Sequence, residues 1–115
     1  MADCIFCKIA GHDIPSTVVY EDDEVIAFRD LNPQAPTHVL IIPKKHIDSV
    51  NDFDVSDKDV IAHIFVDVAP KLAKQLGIDE SGFRLVINTG KEGGQTVDHL
   101  HVHLLGGREM KWPPG

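Results

Sequence analysis

The stretch His99-Leu100-His101-Val102-His103-Leu104-Leu105 decides how this sequence is interpreted. Histidine alternates with aliphatic residues, and successive side chains of a β-strand point to opposite faces. The pattern predicts a strand from His99 to Leu105 whose imidazoles share one face while its aliphatic side chains enter the core. Three neutral imidazoles side by side suit a nucleophile, a proton shuttle or metal ligands. The alternative is a half-buried strand that carries histidine on its solvent face by chance.

The segment Gly93-Gly94-Gln95-Thr96-Val97 directly precedes this histidine row. Its glycines allow backbone N–H groups to approach an anion closely, and Gln95 and Thr96 add side-chain donors. We therefore expect a phosphate-binding segment beside the imidazoles. A flexible hairpin loop without a ligand is the alternative.

The rest of the chain predicts an α+β fold. An apolar run over residues 39–43 is typical of a central strand covered on both faces. Short connections between strands favour an antiparallel sheet with helices packed on it. A short helix is predicted over residues 4–10, and five strands are predicted over residues 17–21, 25–30, 39–43, 84–88 and 99–105.

One long helix is predicted between the third and fourth strands. Ser56 and Asp59 have the spacing of a capping box, and Gly77 is a typical helix stop. Pro70 lies inside this segment, where it removes a hydrogen bond and crowds the preceding turn, so we expect a kink near Val66.

Composition limits the classes of partner. The 115 residues predict one domain over 1–115, with less regular ends at 1–3 and 108–115. Net charge is -7 and Lys44-Lys45 is the only adjacent basic pair, so long nucleic acid is not an expected partner. The apolar runs are too short to span a membrane, so no membrane partner is expected. We expect a cytosolic protein that is small enough to enter the nucleus by diffusion.

Cys4 and Cys7 are the only cysteines and have Cys-x-x-Cys spacing. In a reducing compartment this spacing favours metal binding or redox chemistry over a structural disulfide. Two reduced, buried thiols without metal are the alternative.

On these residues the chain resembles the histidine triad (HIT) family, and its Hint branch in particular. The resemblance covers nearly the whole length and implies a five-stranded antiparallel sheet with one long and one short helix. It also implies a homodimeric purine nucleoside phosphoramidase, which hydrolyses the P–N bond of AMP-type or GMP-type amine conjugates. We expect the sheet to extend across the dimer through residues 83–88. Besides the histidine row, the similar segments are residues 5–9, 27–30, 33–38, 42–46 and 106–115.

The resemblance implies roles for the residues around the histidine row. His101 would attack the α-phosphorus and form a covalent nucleotidyl-imidazole, with its other ring nitrogen donating to a backbone carbonyl. His103 and His99 would contact phosphate oxygens or pass protons to the departing amine, while Thr96 and Gln95 stabilise developing charge. The chemistry requires no cofactor.

Further residues are implied as substrate contacts. Asp30 would accept from ribose hydroxyls, Asn88 would contact phosphate or ribose, and Trp112 would cover the leaving group. Val97 belongs to the phosphate-binding segment. The apolar walls around the purine would be Ile5, Phe6, Ile9, Phe28 and Leu31, for which ordinary core packing is the alternative.

A structural zinc site is also implied. Many Hint proteins have glycine where Cys7 stands and lack Cys4, whereas other family members carry four zinc ligands at the positions of Cys4, Cys7, His46 and His99. Two thiolates and two neutral imidazoles form a stable tetrahedral set for Zn²⁺. Because zinc would occupy His99, the metal and phosphate roles compete for that ring.

Two other functions stay open. A dinucleoside polyphosphate hydrolase of the Fhit type would use the same histidines, although the Trp-Pro-Pro-Gly ending speaks against it. A nucleotide-binding regulator would keep the pocket without needing a nucleophile. His38 matches a structural histidine of the family that bonds to backbone. His63 is expected to be solvated on the long helix and His12 to lie in a loop, and neither is a site candidate.

Overall fold

Five β-strands form a single antiparallel sheet. The computed structural model describes residues 4–115, so the predicted irregular start at residues 1–3 lies outside the described residues. The strands are β1 (Val18–Glu21), β2 (Val25–Arg29), β3 (Thr37–Pro43), β4 (Phe83–Ile87) and β5 (Val102–Gly106). Their order in the sheet is β1-β2-β3-β5-β4, and every neighbouring pair is antiparallel. The predicted fold class is confirmed.

Strand β3 lies at the centre of the sheet, as its apolar run predicts. Val39 and Ile41 face one core cluster, while Leu40 and Ile42 face the other. All four side chains are buried, because both faces of this strand are covered by other elements. The first cluster packs under the long helix, and the second packs under the short helix α1 (Ile5–Ala10).

The histidine row enters the sheet later than predicted. Strand β5 does not begin at His99, so only the third histidine of the row lies in it. The N–H of Leu100 donates to the carbonyl of Ile47 at 2.6 Å, which holds this stretch against the segment after β3 instead of β3 itself. The alternation nevertheless continues: Leu100 is buried, and the rings of His99 and His101 both pack on Phe6.

The long helix is built from three consecutive pieces. These are α2 (Lys58–Ala62), a π-helical stretch (His63–Val68) and α3 (Ala69–Gln75). Pro70 lies in the first turn of α3, and its ring would crowd the carbonyl of Val66 in a regular α-helix. The distortion predicted near Val66 takes the form of the π-helical stretch, whose wider turn accommodates this crowding.

The two ends of this helix differ in how well they were predicted. The predicted Ser56–Asp59 capping box is wrong, because the capping box lies two residues earlier: Asp54 caps a 3₁₀ turn, and Asp57 accepts from the Asp54 N–H. Ser56 donates to Asp54 instead. Gly77 stops the helix as predicted, with a φ of +75° that favours glycine.

His63 joins the long helix to the β1–β2 turn. Its Nε2 lies 2.7 Å from Asp22, and its Nδ1 lies 2.7 Å from Asp67. The hydrogen bond with Asp22, followed by that with Asp67, raises the pKa of His63. The prediction that this histidine is merely solvated is therefore wrong. Asp22 also accepts from the Tyr20 hydroxyl at 2.6 Å, so this end of the hairpin is held in place.

The C-terminal tail crosses the sheet edge without regular structure. Residues 108–115 contain no helix or strand. Arg84 of β4 donates to the carbonyl of Lys111 at 2.8 Å, which fixes the tail beside the edge strand. Among residues 4–115, no helix has the length and apolar character needed to cross a membrane.

Candidate functional site

His101 is held in one tautomer at the wall of a cavity. Its Nδ1 lies 2.7 Å from the carbonyl oxygen of His99, and a carbonyl only accepts. Nδ1 therefore carries the proton and donates it, which leaves the Nε2 lone pair free. The residue is 5% exposed and lines a cavity of about 270 Å³. This is the arrangement that a histidine nucleophile requires, and the predicted bond to a backbone carbonyl is present.

A chain of hydrogen bonds fixes the tautomer of His103. The backbone N–H of Gln34 donates to Nδ1 of His38 at 3.0 Å, so His38 carries its proton on Nε2. That nitrogen lies 2.9 Å from Nδ1 of His103, which must accept. A neutral His103 therefore presents an Nε2–H donor, the complement of the bare Nε2 on His101.

Burial keeps this histidine pair neutral. Desolvation, reinforced by the neighbouring His101 and His38, lowers the pKa of His103 to about 4. Burial also lowers the pKa of His38, with the nearby Asp30 carboxylate acting in the opposite direction. At neutral pH both rings are uncharged, so the hydrogen-bond chain keeps its direction.

Most of the predicted substrate contacts meet in this one cavity. Besides His101 and His103, its lining includes the acidic residue Asp30 and the loop residue Thr96. Strand β2 ends beside Asp30, and α1 lays its apolar side across the second core cluster. The predicted apolar residues that line the cavity are Ile5, Phe6, Ile9, Phe28, Leu31 and Val97.

Four predicted site residues do not line this cavity. Asn88 donates to the Gly93 carbonyl at 2.7 Å, and Trp112 is 82% exposed on the tail. Gln95 turns its amide to the backbone of Gly90 and Val97 in its own loop and to the carbonyl of Asp48 outside it. His99 directs both ring nitrogens elsewhere, as described below.

The predicted phosphate-binding segment is only partly available to a ligand. The N–H groups of Gly94 and Gln95 already donate to the carbonyls of Lys91 and Gly90. These bonds close the turn on itself, so those two N–H groups are not free for an anion. Thr96 and Val97 are the members of the segment that reach the cavity.

A second constellation joins Cys4, Cys7, His46 and His99. The four ligand atoms lie within 4.8 Å of one another. Nδ1 of His99 is 3.3 Å from the Cys4 sulfur, and Nδ1 of His46 is 3.2 Å from the Cys7 sulfur. In a tetrahedral zinc site, neighbouring ligand atoms are about 3.4–3.8 Å apart. The sulfur–nitrogen distances lie close to this range, so small shifts of the side chains would let the cluster hold a tetrahedral cation of that size.

Hydrogen bonds at Nε2 hold the rings of His99 and His46 in the tautomer that a metal ligand needs. Nε2 of His99 lies 2.8 Å from the carbonyl of Pro43, and Nε2 of His46 lies 2.5 Å from the Asp48 carboxylate. Both acceptors fix the proton on Nε2 and leave Nδ1 bare toward the sulfurs, the usual support for a metal-binding histidine. Burial, with the adjacent Cys4 sulfur second, raises the pKa of the Cys7 thiol, and a bound cation would favour its thiolate form.

The other nearby group of potential ligands does not meet these requirements. Asp30, His38 and His103 also bring ligand atoms within 4.8 Å. However, Nδ1 of His38 accepts from a backbone N–H, so a neutral His38 keeps its proton on the Nε2 that would have to bind the metal. The tautomers therefore favour metal binding by the cluster with the two cysteines and favour hydrogen bonding in the cluster with Asp30.

The sequence interpretation missed the link of His38 to the site and several residues that line the cavity. It gave His38 a structural role, and a bond from backbone is present, but the second bond to His103 makes it part of the site. The register that pairs Leu40 with His103 places His38 on the same face, and that register was the missing signal. The loop between α1 and β1, which includes Ser16 and Thr17, also lines the cavity.

Known proteins resemble this chain over almost its full length. A family model for the HIT domain matches residues 12–110. A 14 kDa zinc-binding protein of Brassica juncea is 52% identical over 115 residues, which cover 98% of this chain and 100% of the relative. A HIT family hydrolase from Legionella pneumophila Philadelphia 1 superposes with a TM-score of 0.95 at 57% identity, covering 98% of this chain and 100% of that one. A histidine triad protein from Clostridium difficile gives 0.93 at 54% identity, covering 96% of each chain.

Proposed function

The chain belongs to the HIT family, and from that membership we propose that it is a purine nucleoside phosphoramidate hydrolase working through a nucleotidyl-His101 intermediate. The observation that carries the proposal is the fixed tautomer of His101, whose bare Nε2 borders an apolar cavity beside the Nε2–H of His103. One nitrogen is ready to attack phosphorus while its neighbour is ready to donate. The HIT family hydrolase from Legionella, similar over its whole length, supports hydrolytic chemistry.

The chemistry follows from these two nitrogens. Nε2 of His101 forms a bond to the α-phosphorus as the P–N bond breaks, the Nε2–H of His103 donates a hydrogen bond to the reacting group, and the departing amine takes its proton from solvent water. The hydrogen bond from His38 to Nδ1 of His103 keeps that N–H in place. Water then attacks the phosphorus, releases a proton to solvent and displaces neutral His101 from the nucleoside monophosphate. The carbonyl of His99 stabilises the positive charge that His101 carries in between.

The cavity walls support a purine nucleoside as the bound group. Phe6 and Phe28 meet edge to face at 5.5 Å and offer an aromatic wall. Asp30 lies at the end of β2 beside the histidines, where its carboxylate can accept from ribose hydroxyls. Leu31 is 98% exposed at the cavity, so a bound base would cover apolar surface that water now contacts.

We also propose that Cys4, Cys7, His46 and His99 hold a structural zinc ion. The supporting observations are the ligand spacing and the two outer hydrogen bonds of the imidazoles, and the Brassica relative is named as zinc-binding. When bound, the metal supplies a cross-link between α1 and the histidine row. Thiolate ligands suit a reducing compartment, so we place the protein in the cytosol.

The dimer predicted from the sequence remains a proposal. Strand β4 forms one edge of the sheet, and Phe83 at its start is 38% exposed. An edge strand pairs readily with another strand, and a second copy of β4 would satisfy it symmetrically. Sedimentation at micromolar concentration tests this, and a monomer there would contradict it.

The function is tested by comparing substrates and by trapping the intermediate. Turnover of adenosine 5′-phosphoramidate should far exceed that of a diadenosine polyphosphate, and His101→Ala should abolish it while nucleotide affinity stays within about tenfold. Mass spectrometry of quenched reactions should find the nucleotidyl group on His101. Preference for the diadenosine compound would favour the Fhit-type activity, and binding without turnover would favour a regulator.

A further inference from the structure

Gln95 lies between the metal cluster and the catalytic cavity and contacts neither. Its Nε2 donates to the carbonyl of Asp48 at 2.7 Å and to the carbonyl of Val97 at 3.0 Å. Its Oε1 accepts from the N–H of Gly90 at 3.0 Å. Both amide hydrogens are therefore in use, and none remains for a phosphate oxygen.

These bonds fasten the loop of residues 90–97, here called the cavity loop, at three points. Gly90 at its start and Val97 at its end both bind the same amide, and the third bond leaves the loop for Asp48. Thr96 and Val97, the residues of this loop that line the cavity, lie directly after Gln95. The position of both therefore depends on where this amide is held.

The acceptor outside the loop belongs to the metal cluster's own support. Asp48 receives the Nε2–H of His46 at 2.5 Å, and Nδ1 of the same ring faces the Cys7 sulfur at 3.2 Å. Fixing His46 on a cation fixes Asp48 by this bond, and the Asp48 carbonyl is the anchor for Gln95. A continuous hydrogen-bonded path thus runs from the metal ligands to the cavity loop.

We propose that Gln95 is a positioning residue that couples metal occupancy of the Cys4, Cys7, His46 and His99 cluster to the placement of Thr96 and Val97 at the cavity. The proposal rests on the proposed function for the meaning of the cavity, whereas the coupling itself is independent of any reaction. Coupling between two sites is reciprocal. Loss of the Gln95 amide must therefore loosen the metal, and loss of the metal must loosen the loop.

The first measurement follows metal release from the full chain loaded with Co²⁺, whose thiolate bonds give visible absorption. Gln95→Met keeps the shape of the side chain and removes all three contacts. It should lose cobalt to a chelator about tenfold faster than the unaltered protein. This is the low end of the loss in metal affinity that follows mutation of residues hydrogen-bonded to metal ligands. Asn88→Leu is the matched control, because Asn88 also pins this loop through an amide but reaches only Gly93. This control should release cobalt at the unaltered rate.

Two further arms make the result specific. Gln95→Glu keeps the acceptor for Gly90 and loses both donors, so it should release cobalt as fast as Gln95→Met. Hydrogen exchange in the cavity loop should rise when the unaltered protein is stripped of metal, and this difference should vanish in Gln95→Met. Equal release from Gln95→Met and Asn88→Leu, slow release from Gln95→Glu, or a chain that binds no cobalt would each overturn the coupling. None of these readings uses turnover, so an inactive protein would refute the proposed function and leave the coupling decided by cobalt and exchange.

Discussion

Replacing His38 by asparagine and by glutamine separates the two hydrogen bonds of its ring. Asparagine places an oxygen near the position of Nδ1, where it can accept from the Gln34 N–H, but offers nothing to His103. Glutamine places an N–H near the position of Nε2, where it can donate to His103, but leaves Gln34 without its acceptor. Each variant therefore keeps one of the bonds that the structure places at 3.0 and 2.9 Å.

The expected effect on turnover comes from the tautomer of His103. A neutral hydrogen bond contributes about 0.5–1.5 kcal/mol net, which changes a tautomer ratio about 2- to 12-fold. Losing the donor lets the His103 proton move to Nδ1, and Nε2 then presents a lone pair to an anionic phosphate. His38→Asn should therefore have a lower kcat than His38→Gln, by up to about 12-fold, with similar KM values.

Stability serves as the control for this comparison. His38 is 5% exposed, and each variant leaves one buried group without a partner, at a cost of about 1–3 kcal/mol. The two variants should thus unfold at similar denaturant concentrations while differing in kcat. Ring ¹⁵N shifts of His103 report the tautomer directly. Equal kcat values, or an unchanged Nε2–H tautomer in His38→Asn, would refute the hydrogen-bond chain.

Three further outcomes follow from other parts of the molecule. Cys4→Ser, or chelation of the unaltered protein, should lower the melting temperature by about 10 °C, the shift expected if zinc is present at a hundred times its dissociation constant; an unchanged melting curve on adding zinc would leave ordinary thiols. His63→Gln should destabilise the fold most below about pH 6.5 and least above the raised pKa of His63, because the proton held between the two aspartates contributes stability only while it is bound. A difference in the free energy of unfolding between variant and unaltered protein that stays constant from pH 6 to about pH 9 in urea would contradict this linkage. Gly93→Ala would put a Cβ 2.2 Å from the Thr89 carbonyl oxygen, so the loop must open, with a loss of about 1–3 kcal/mol in chemical unfolding and a lower kcat/KM; unchanged unfolding and unchanged kcat/KM would show that the turn is not constrained.

Local sequence patterns predicted the sheet, because strands and helix ends are indicated by residues that are close together in the sequence. The apolar run of β3 requires cover on both faces, and Gly77 favours the left-handed conformation that ends the long helix. The start of β5 was beyond such reasoning. It depends on the bond between Leu100 and Ile47, two residues far apart in the chain, and period-two alternation continues whether or not a ladder forms.

The contacts in the candidate site also differ in whether the sequence could predict them. The chemistry of a histidine nucleophile demands a backbone acceptor for its second nitrogen, so that contact of His101 could be predicted without knowing which carbonyl supplies it. The partners of His38 and Gln95 could not, because the register between β3 and β5 and the path of the cavity loop decide them. The residue type shows that a side chain can donate a hydrogen bond, but the fold determines which group accepts it.

The sequence set a metal role and a phosphate role for the His99 ring in competition, and the structure directs the ring to the metal cluster. The ring faces the cysteine sulfurs and the Pro43 carbonyl, which takes it out of the cavity. The backbone carbonyl of His99 accepts from Nδ1 of His101 and thereby fixes the tautomer of that ring. The ring of His99 and this carbonyl belong to the same residue, so a cation that holds the ring also restrains the carbonyl. The ring of His99 is thus directed to the metal cluster and away from a phosphate in the cavity, as the predicted competition requires. We expect metal binding at His99 also to support the geometry of His101 through the backbone carbonyl.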